Sequence, residues 1–293
     1  MRHVPVPPAP ASLSGKAAQA ERTKLEDFYA VPANANARYP GSFSAYKHQQ
    51  VRAALKAAFG GKCAYCETFY DSNQPTAVEH FRPKGEVTIG GVRTPPGYWW
   101  LASTWENLLP SCTDCNSPRK QDFPAGLPAT AGKANAFPLP SEKRRARGRG
   151  DERRERPLLL HPYFDEPAEH LQFVWGTDTV DDGQVRPKRT AGGRESKRGR
   201  VTIDVCALQR LGLVTARRTH LKLLTAFLEV VVDRKAEADR APGDPDTRKR
   251  FENAVADVRR LFVDGDPEYT AMTTQVIQAY FERIFGAGTG APR

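Results

Sequence analysis

Two Cys-x-x-Cys pairs, Cys63/Cys66 and Cys112/Cys115, constrain this chain more than any other feature. Each x-x spacing puts two sulfurs on the same side of a tight knuckle. Two such knuckles can close a tetrahedron of thiolates, which is the preferred environment of structural Zn²⁺. The gap between the pairs is longer than in a simple zinc ribbon, so something is built between the knuckles. Glu79, His80 and Asn107 lie inside that insert, and Asn116 follows the second pair directly. Of the five cysteines, Cys206 is left over, and this distribution does not suit the disulfide framework of a secreted protein. The expected compartment is therefore reducing. The start of the chain has no apolar core of signal-peptide length, and no later run is long enough to span a bilayer. Together these features read as a cytoplasmic protein with no membrane partner.

Charge narrows the partners. Lys and Arg number 44 against 34 Asp and Glu, a formal charge of +10 with a pI near 9.5. That balance favours a polyanion, nucleic acid first, although ribosomal and membrane-surface proteins share it. It says little about fold. A chain of 293 residues allows one large or two modest domains with ample length for a core.

The segments around the cysteines carry a resemblance. Cys-Ala-Tyr-Cys-Glu, Glu-His-Phe-Arg-Pro-Lys, Tyr-Trp-Trp-Leu-Ala, Trp-Glu-Asn-Leu-Leu-Pro-Ser-Cys and Asp-Cys-Asn-Ser-Pro-Arg-Lys occur in that order. The chain resembles the HNH endonuclease superfamily, and within it the retron-associated and Septu-type proteins, bacterial anti-phage effectors encoded beside an ATPase. The match runs from the Pro-rich start through Leu158-Leu159-Leu160-His161-Pro162 to about Arg218 and weakens beyond. The resemblance implies an α+β fold with a zinc-stapled ββα-metal (His-Me finger) core and mainly helical flanking and C-terminal regions. It implies a phosphodiester hydrolase acting on nucleic acid, DNA ahead of RNA, together with an ATPase partner. This chain has no Gly-rich phosphate loop of its own.

The same resemblance gives individual residues roles. His80 is the candidate general base, since a neutral imidazole can take a proton from water near neutral pH. Asn107 orients it and braces the loop. Glu79 and Asn116 supply the oxygens for a catalytic Mg²⁺ or Mn²⁺, while Cys63, Cys66, Cys112 and Cys115 hold the zinc. The usual last position of the motif is His and the usual acid is Asp, so Asn116 and Glu79 depart from the common spelling and leave the preferred metal open. Arg82, Lys84, Arg119 and Lys120 are phosphate candidates, the last two also placed to soften the charge of a four-thiolate zinc. Lys56 and Lys62 are weaker candidates of the same kind. Trp99, Trp100 and Trp105 read as core more than as a base-stacking platform. His3, His48 and His220 read as structural, as do His161 and His170, which no metal spacing links to the site.

Along the chain, residues 1 to 15 read as an extended Pro-rich arm. Helices are expected over 17–29 and 44–59, the second with Val51, Leu55 and Phe59 on one stripe and Gly60-Gly61 as its stop. A turn over 71–75 leads to a strand over 76–80. After Lys120 regular structure is expected to lapse into basic loops, over 124–157 and again over 186–200, with a hairpin from 171–175 and 180–185 between them. Helices return over 215–232, 248–262 and 268–285. The expected units are an arm with helices (1–61), the nuclease core (62–123), basic loops with an accessory hairpin (124–200) and a helical region (201–293). A rival of another class, a zinc-dependent nucleic-acid-binding or scaffold subunit that does not cut, fits zinc and charge equally well. It has no need of the Glu79, His80, Asn107 and Asn116 set.

Overall fold

The computed structural model describes residues 1–70, 77–124 and 126–286. Two helices open the chain, α1 (Lys16–Ala30) and α2 (Gln49–Phe59). Val51, Leu55 and Phe59 are the buried stripe of α2. The helix starts at His48, whose Nδ1 accepts from the Gln50 amide, and stops at Gly60, whose φ of 61° is left-handed. A side chain at Gly60 would be strained there and would meet Asp266. Residues 45–47 form a separate single turn ahead of α2. The N-terminal arm is packed rather than loose: Met1, Val4 and Leu13 are buried, the Val4 amide donates to the Pro162 carbonyl, and Trp105 donates to that of Pro7.

The middle of the chain is a series of small antiparallel pairs. Strand β1 (Ala77–His80) pairs with β4 (Leu108–Ser111), placing Glu79 opposite Leu109 and His80 opposite Leu108. The hairpin of β2 (Val87–Ile89) and β3 (Val92–Thr94) lies in the connection between them. A one-turn helix, α3 (Thr113–Asn116), follows β4. The expected turn over 71–75, and Thr76, lie outside the described residues.

Regular structure does not lapse where the sequence suggests. Strands β5 (Arg119–Phe123) and β6 (Gly126–Ala131) pair as a hairpin. The basic loop after them is anchored by acids that alternate with its arginines. Glu155 is fully buried and accepts from Arg82 Nε, the Tyr98 hydroxyl and the Ala146 amide, while Glu152 accepts from Trp100 Nε1. The accessory hairpin is β7 (Leu171–Phe173) with β8 (Val185–Pro187); the return strand expected over 180–185 is mostly turn and begins only at Val185, and α4 (Lys197–Val205) occupies part of the second basic stretch.

Three longer helices complete the fold: α5 (Leu211–Arg240), α6 (Pro245–Phe262) and α7 (Thr270–Phe285). Leu221, Leu224, Leu228 and Val231 recur at helical spacing on α5 and are buried with Val258 and Phe262 of α6 and Val276 of α7. Each such side chain contributes roughly 2 kcal/mol through burial. These helices share one hydrophobic cluster with the cysteine knuckles, so the helical region is continuous with the small strands in packing. The whole is an α+β arrangement of helices and four two-stranded sheets among the described residues. No described helix is long and apolar enough to cross a membrane.

Candidate active site and thiol centre

Cys63, Cys66, Cys112 and Cys115 are buried, and their sulfurs lie within 4.8 Å of one another. All are free thiols, and Cys206, also buried, stands outside this group. The first pair sits on the knuckle after Gly60-Gly61, the second where β4 runs into α3. Four soft donors at this separation could hold a metal ion such as zinc. Hydrogen bonds from the thiols of Cys112 and Cys115 drive Cys66 well below the usual thiol range, helped by the charge of Arg210.

Nothing in the sequence pattern marks Arg210 for this centre. Its guanidinium lies 3.4 Å from Cys115 Sγ, 3.5 Å from Cys66 Sγ and 3.9 Å from Cys112 Sγ, just before α5 begins. It supplies the positive charge that the sequence assigns to Arg119 and Lys120. Those two are exposed on β5, where Arg119 pairs with Asp114. Two more contacts clamp the first knuckle to the helical region. Lys62 is fully buried and donates to Asp266 Oδ1 at 2.6 Å, to the carbonyls of Asp266 and Pro267, and to Thr270. Glu67 accepts from the Ala271 amide. Lys62 is thereby removed from phosphate contact.

On the other side of the strand pair, His80 ends β1 and is 4% exposed. Its Nε2 lies 2.9 Å from the Ala102 carbonyl. A carbonyl only accepts, so Nε2 carries the proton and Nδ1 presents its lone pair. Lys84 Nζ stands 3.5 Å from Nδ1, and the Tyr46 ring packs edge-on against the imidazole. Burial, reinforced by the charge of Lys84, holds the imidazole well below the ordinary histidine range, so it is neutral at physiological pH.

Asn107 fixes the turn beyond His80. Its Oδ1 accepts from the Arg82 amide at 2.8 Å, and its Nδ2 donates to the carbonyls of Arg82 and Leu101. The Leu101 contact is next to the carbonyl that holds His80. Arg82 turns away from the site to its ion pair with Glu155. A cleft of about 560 Å³ opens in front of His80, lined by Arg38, Tyr46, Lys47, Lys84 and Asn135. The Trp100 and Trp105 rings are buried, and Trp99 stacks on Tyr29.

Glu79 lies on β1 beside His80 and is buried. Burial raises its carboxyl, and the ammonium of Lys133 opposes that effect. Lys133 Nζ is 2.5 Å from Glu79 Oε1 and 2.9 Å from the His80 carbonyl. No local spacing marks Lys133, which reaches the site from the far side of the β5–β6 hairpin. Asn116 is the last residue of α3, partly buried, and its carbonyl accepts from the Ala134 amide. His161 is packed against Phe81, with its Nε2 at the Glu106 carbonyl and its Nδ1 accepting from the Tyr163 amide.

Over 246 residues the chain is 35% identical to the Septu protein PtuB of Bacillus mycoides strain KBAB4, covering 80% of this chain and 75% of that protein. The chain belongs to the Septu PtuB family. The Septu PtuB relative therefore extends the likeness well past the cysteine knuckles. A second similarity, 31% over 165 residues, is to the Septu protein PtuA of the same strain, covering 56% of this chain and 20% of that protein. No protein-family profile matches the chain.

Proposed function

We propose that this Septu PtuB relative is a metal-dependent HNH endonuclease, hydrolysing phosphodiester bonds in nucleic acid, DNA ahead of RNA, in bacterial anti-phage defence. The observation that carries the reading is the imidazole of His80: neutral, tied at Nε2 to a carbonyl, and presenting Nδ1 beside a cleft lined with Arg38, Lys47 and Lys84. Once Lys84 turns from Nδ1 to the incoming phosphate, a water held by Nδ1 loses its proton to it as the water oxygen bonds to phosphorus. The phosphorus–oxygen bond to the leaving strand breaks, and that oxygen takes a proton from solvent. Lys84 and Lys47 hold the phosphate, and Asn107 keeps the imidazole aimed.

The donor chemistry fits a hard cation, since Glu79 offers a carboxylate and Asn116 an amide oxygen. These two would hold Mg²⁺ or Mn²⁺, which supplies Lewis-acid stabilisation of the phosphate charge. The strand pair β1–β4 with α3 is the ββα frame in this reading, with the four cysteines holding zinc at its end. The core would span 62–123, supported by the arm (1–61), the basic region (124–200) and the helical region (201–293). The resemblance assigns an ATPase partner, and the similarity to PtuB and PtuA supports a place in a Septu-type system. The test is the full chain, with and without its neighbouring ATPase, on DNA and RNA pools in Mg²⁺ and Mn²⁺. Metal-dependent cleavage is expected. Binding without cleavage under every condition would favour the non-cutting subunit.

A further inference from the structure

Lys133 is fully buried, and its ammonium bridges the Glu79 carboxylate and the His80 carbonyl. An ammonium is retained inside a protein where oxygens replace its water, so this position is a built cation site. The chain around it is shaped to reach there. Gly132, at a φ of 135°, passes so close to the Ser117 carbonyl that a Cβ would collide with it. The Lys133 amide donates to the Cys115 carbonyl at 2.8 Å, and the next amide donates to the Asn116 carbonyl. The backbone is thus pinned along α3, and the flexible four-carbon stem carries the charge to Glu79.

Both oxygens that Lys133 bridges are hard donors of the kind a divalent cation takes, and one is the carboxylate that the nuclease reading gives to Mg²⁺ or Mn²⁺. A dication arriving at Glu79 meets an ammonium already at contact distance, and at such separations like charges repel strongly. We infer that Lys133 is a built-in competitor of the divalent ion: it positions Glu79 and the end of β1, and it must swing off the carboxylate before the ion is held. This inference rests on the nuclease reading only in taking Glu79 as the metal ligand. Apparent metal affinity is then lowered by the fraction of molecules in which Glu79 is engaged by Lys133. A phosphate entering the cleft with its own cation would shift that balance toward the ion. Metal and nucleic acid would accordingly bind with positive coupling.

The test is Mn²⁺ binding to the full-length zinc-loaded chain, followed by the paramagnetic resonance of free Mn²⁺, which needs no cleavage. Lys133→Met should bind Mn²⁺ about tenfold more tightly than wild type or better, and adding Glu79→Gln should abolish the gain. Unchanged or weaker binding by a folded Lys133→Met protein, or no uptake by either protein, overturns the inference and leaves Lys133 as a structural counter-ion. Should Lys133→Met fail to fold, wild-type protein with ¹⁵N-labelled lysine answers the same question. Mg²⁺ titration should shift the Lys133 Nζ resonance and speed its proton exchange, and a resonance that Mg²⁺ leaves unmoved overturns the competition. Tighter binding by Lys133→Met in a protein that cuts no nucleic acid would keep the competition and sink the nuclease reading. Cleavage by wild type with no gain in Mn²⁺ affinity would do the reverse.

Discussion

Around the four cysteines every approach is covered, by Arg210, by the α6–α7 connection through Lys62, and by the hydrophobic cluster; around His80 one side is left open to a basic cleft. Both centres hang on the β1–β4 pair. One offers soft sulfur donors sealed from water, which suits a permanent ion. The other offers a buried carboxylate tied to Lys133 and a buried imidazole that stands at the wall of the cleft, the groups that the proposed reading gives to an ion and a substrate. Strands of four residues and a one-turn helix are too short to fix either centre by their own hydrogen bonds, so in the proposed reading the closed thiol centre supports the one beside the cleft. The Lys133 amide at the Cys115 carbonyl joins them directly.

The comparison is broken most severely by removing a thiol. Cys112→Ser should lose zinc and cost more than about 3 kcal/mol of stability, read by elemental analysis and a thermal melt, while Cys206→Ser should keep full zinc content. A Cys112→Ser protein with wild-type stability would mean that the thiol centre does not hold the frame.

Acid should act through the two buried histidines. Burial lowers His161 to about 3 and His80 well below its ordinary range in the folded protein, whereas the unfolded chain protonates both near about 6.5. Stability from these groups is complete above the unfolded value and is lost as pH falls toward the folded values. The expected slope is about 1.4 kcal/mol per pH unit for each histidine. Urea unfolding from about pH 7 down to about pH 5 measures it, and His161→Phe should remove one histidine's share. An unaltered slope in that variant would show that His161 is not the buried neutral group described.

A smaller effect is expected at Arg210. Arg210→Met should cost about 2 kcal/mol and speed zinc loss to a chelator, with Arg119→Ala as the control that changes neither. Equal zinc loss from both variants would return the charge-balancing role to the surface. Smallest is the basic loop, where Lys143, Arg144 and Arg147 line an exposed hollow, while Arg145 is held by Glu142 and Tyr98. Replacing the first three with Ala should weaken nucleic-acid binding evenly across sequences and reduce the salt slope by about 0.9 for each phosphate no longer neutralised. An unchanged slope would make the loop a bystander.

Much of this is legible in the chain because the signals are local. Cys-x-x-Cys spacing marks the thiol group and excludes Cys206, and the i, i+3, i+4 leucines mark α5. What stays hidden are pairings between residues far apart in sequence. Arg82 and Lys62 read as phosphate contacts until Glu155 and Asp266 are seen beside them. Arg210 and Lys133 carry no motif at all, since a single basic residue gains meaning from the anion it meets in the fold. The packed basic loop is hidden for the same reason: its Glu152 and Glu155 look like charge alternation until Trp100, Tyr98 and Arg82 supply their partners.

The division of labour between the two centres is tested most directly by the cleavage rate of His80→Ala beside wild type, with zinc content and melting temperature measured on the same preparations and the proposed ATPase partner present. Loss of about a hundredfold or more in rate, with zinc and melting temperature unchanged, is the predicted result. A His80→Ala protein that retains zinc and cuts as fast as wild type would contradict it.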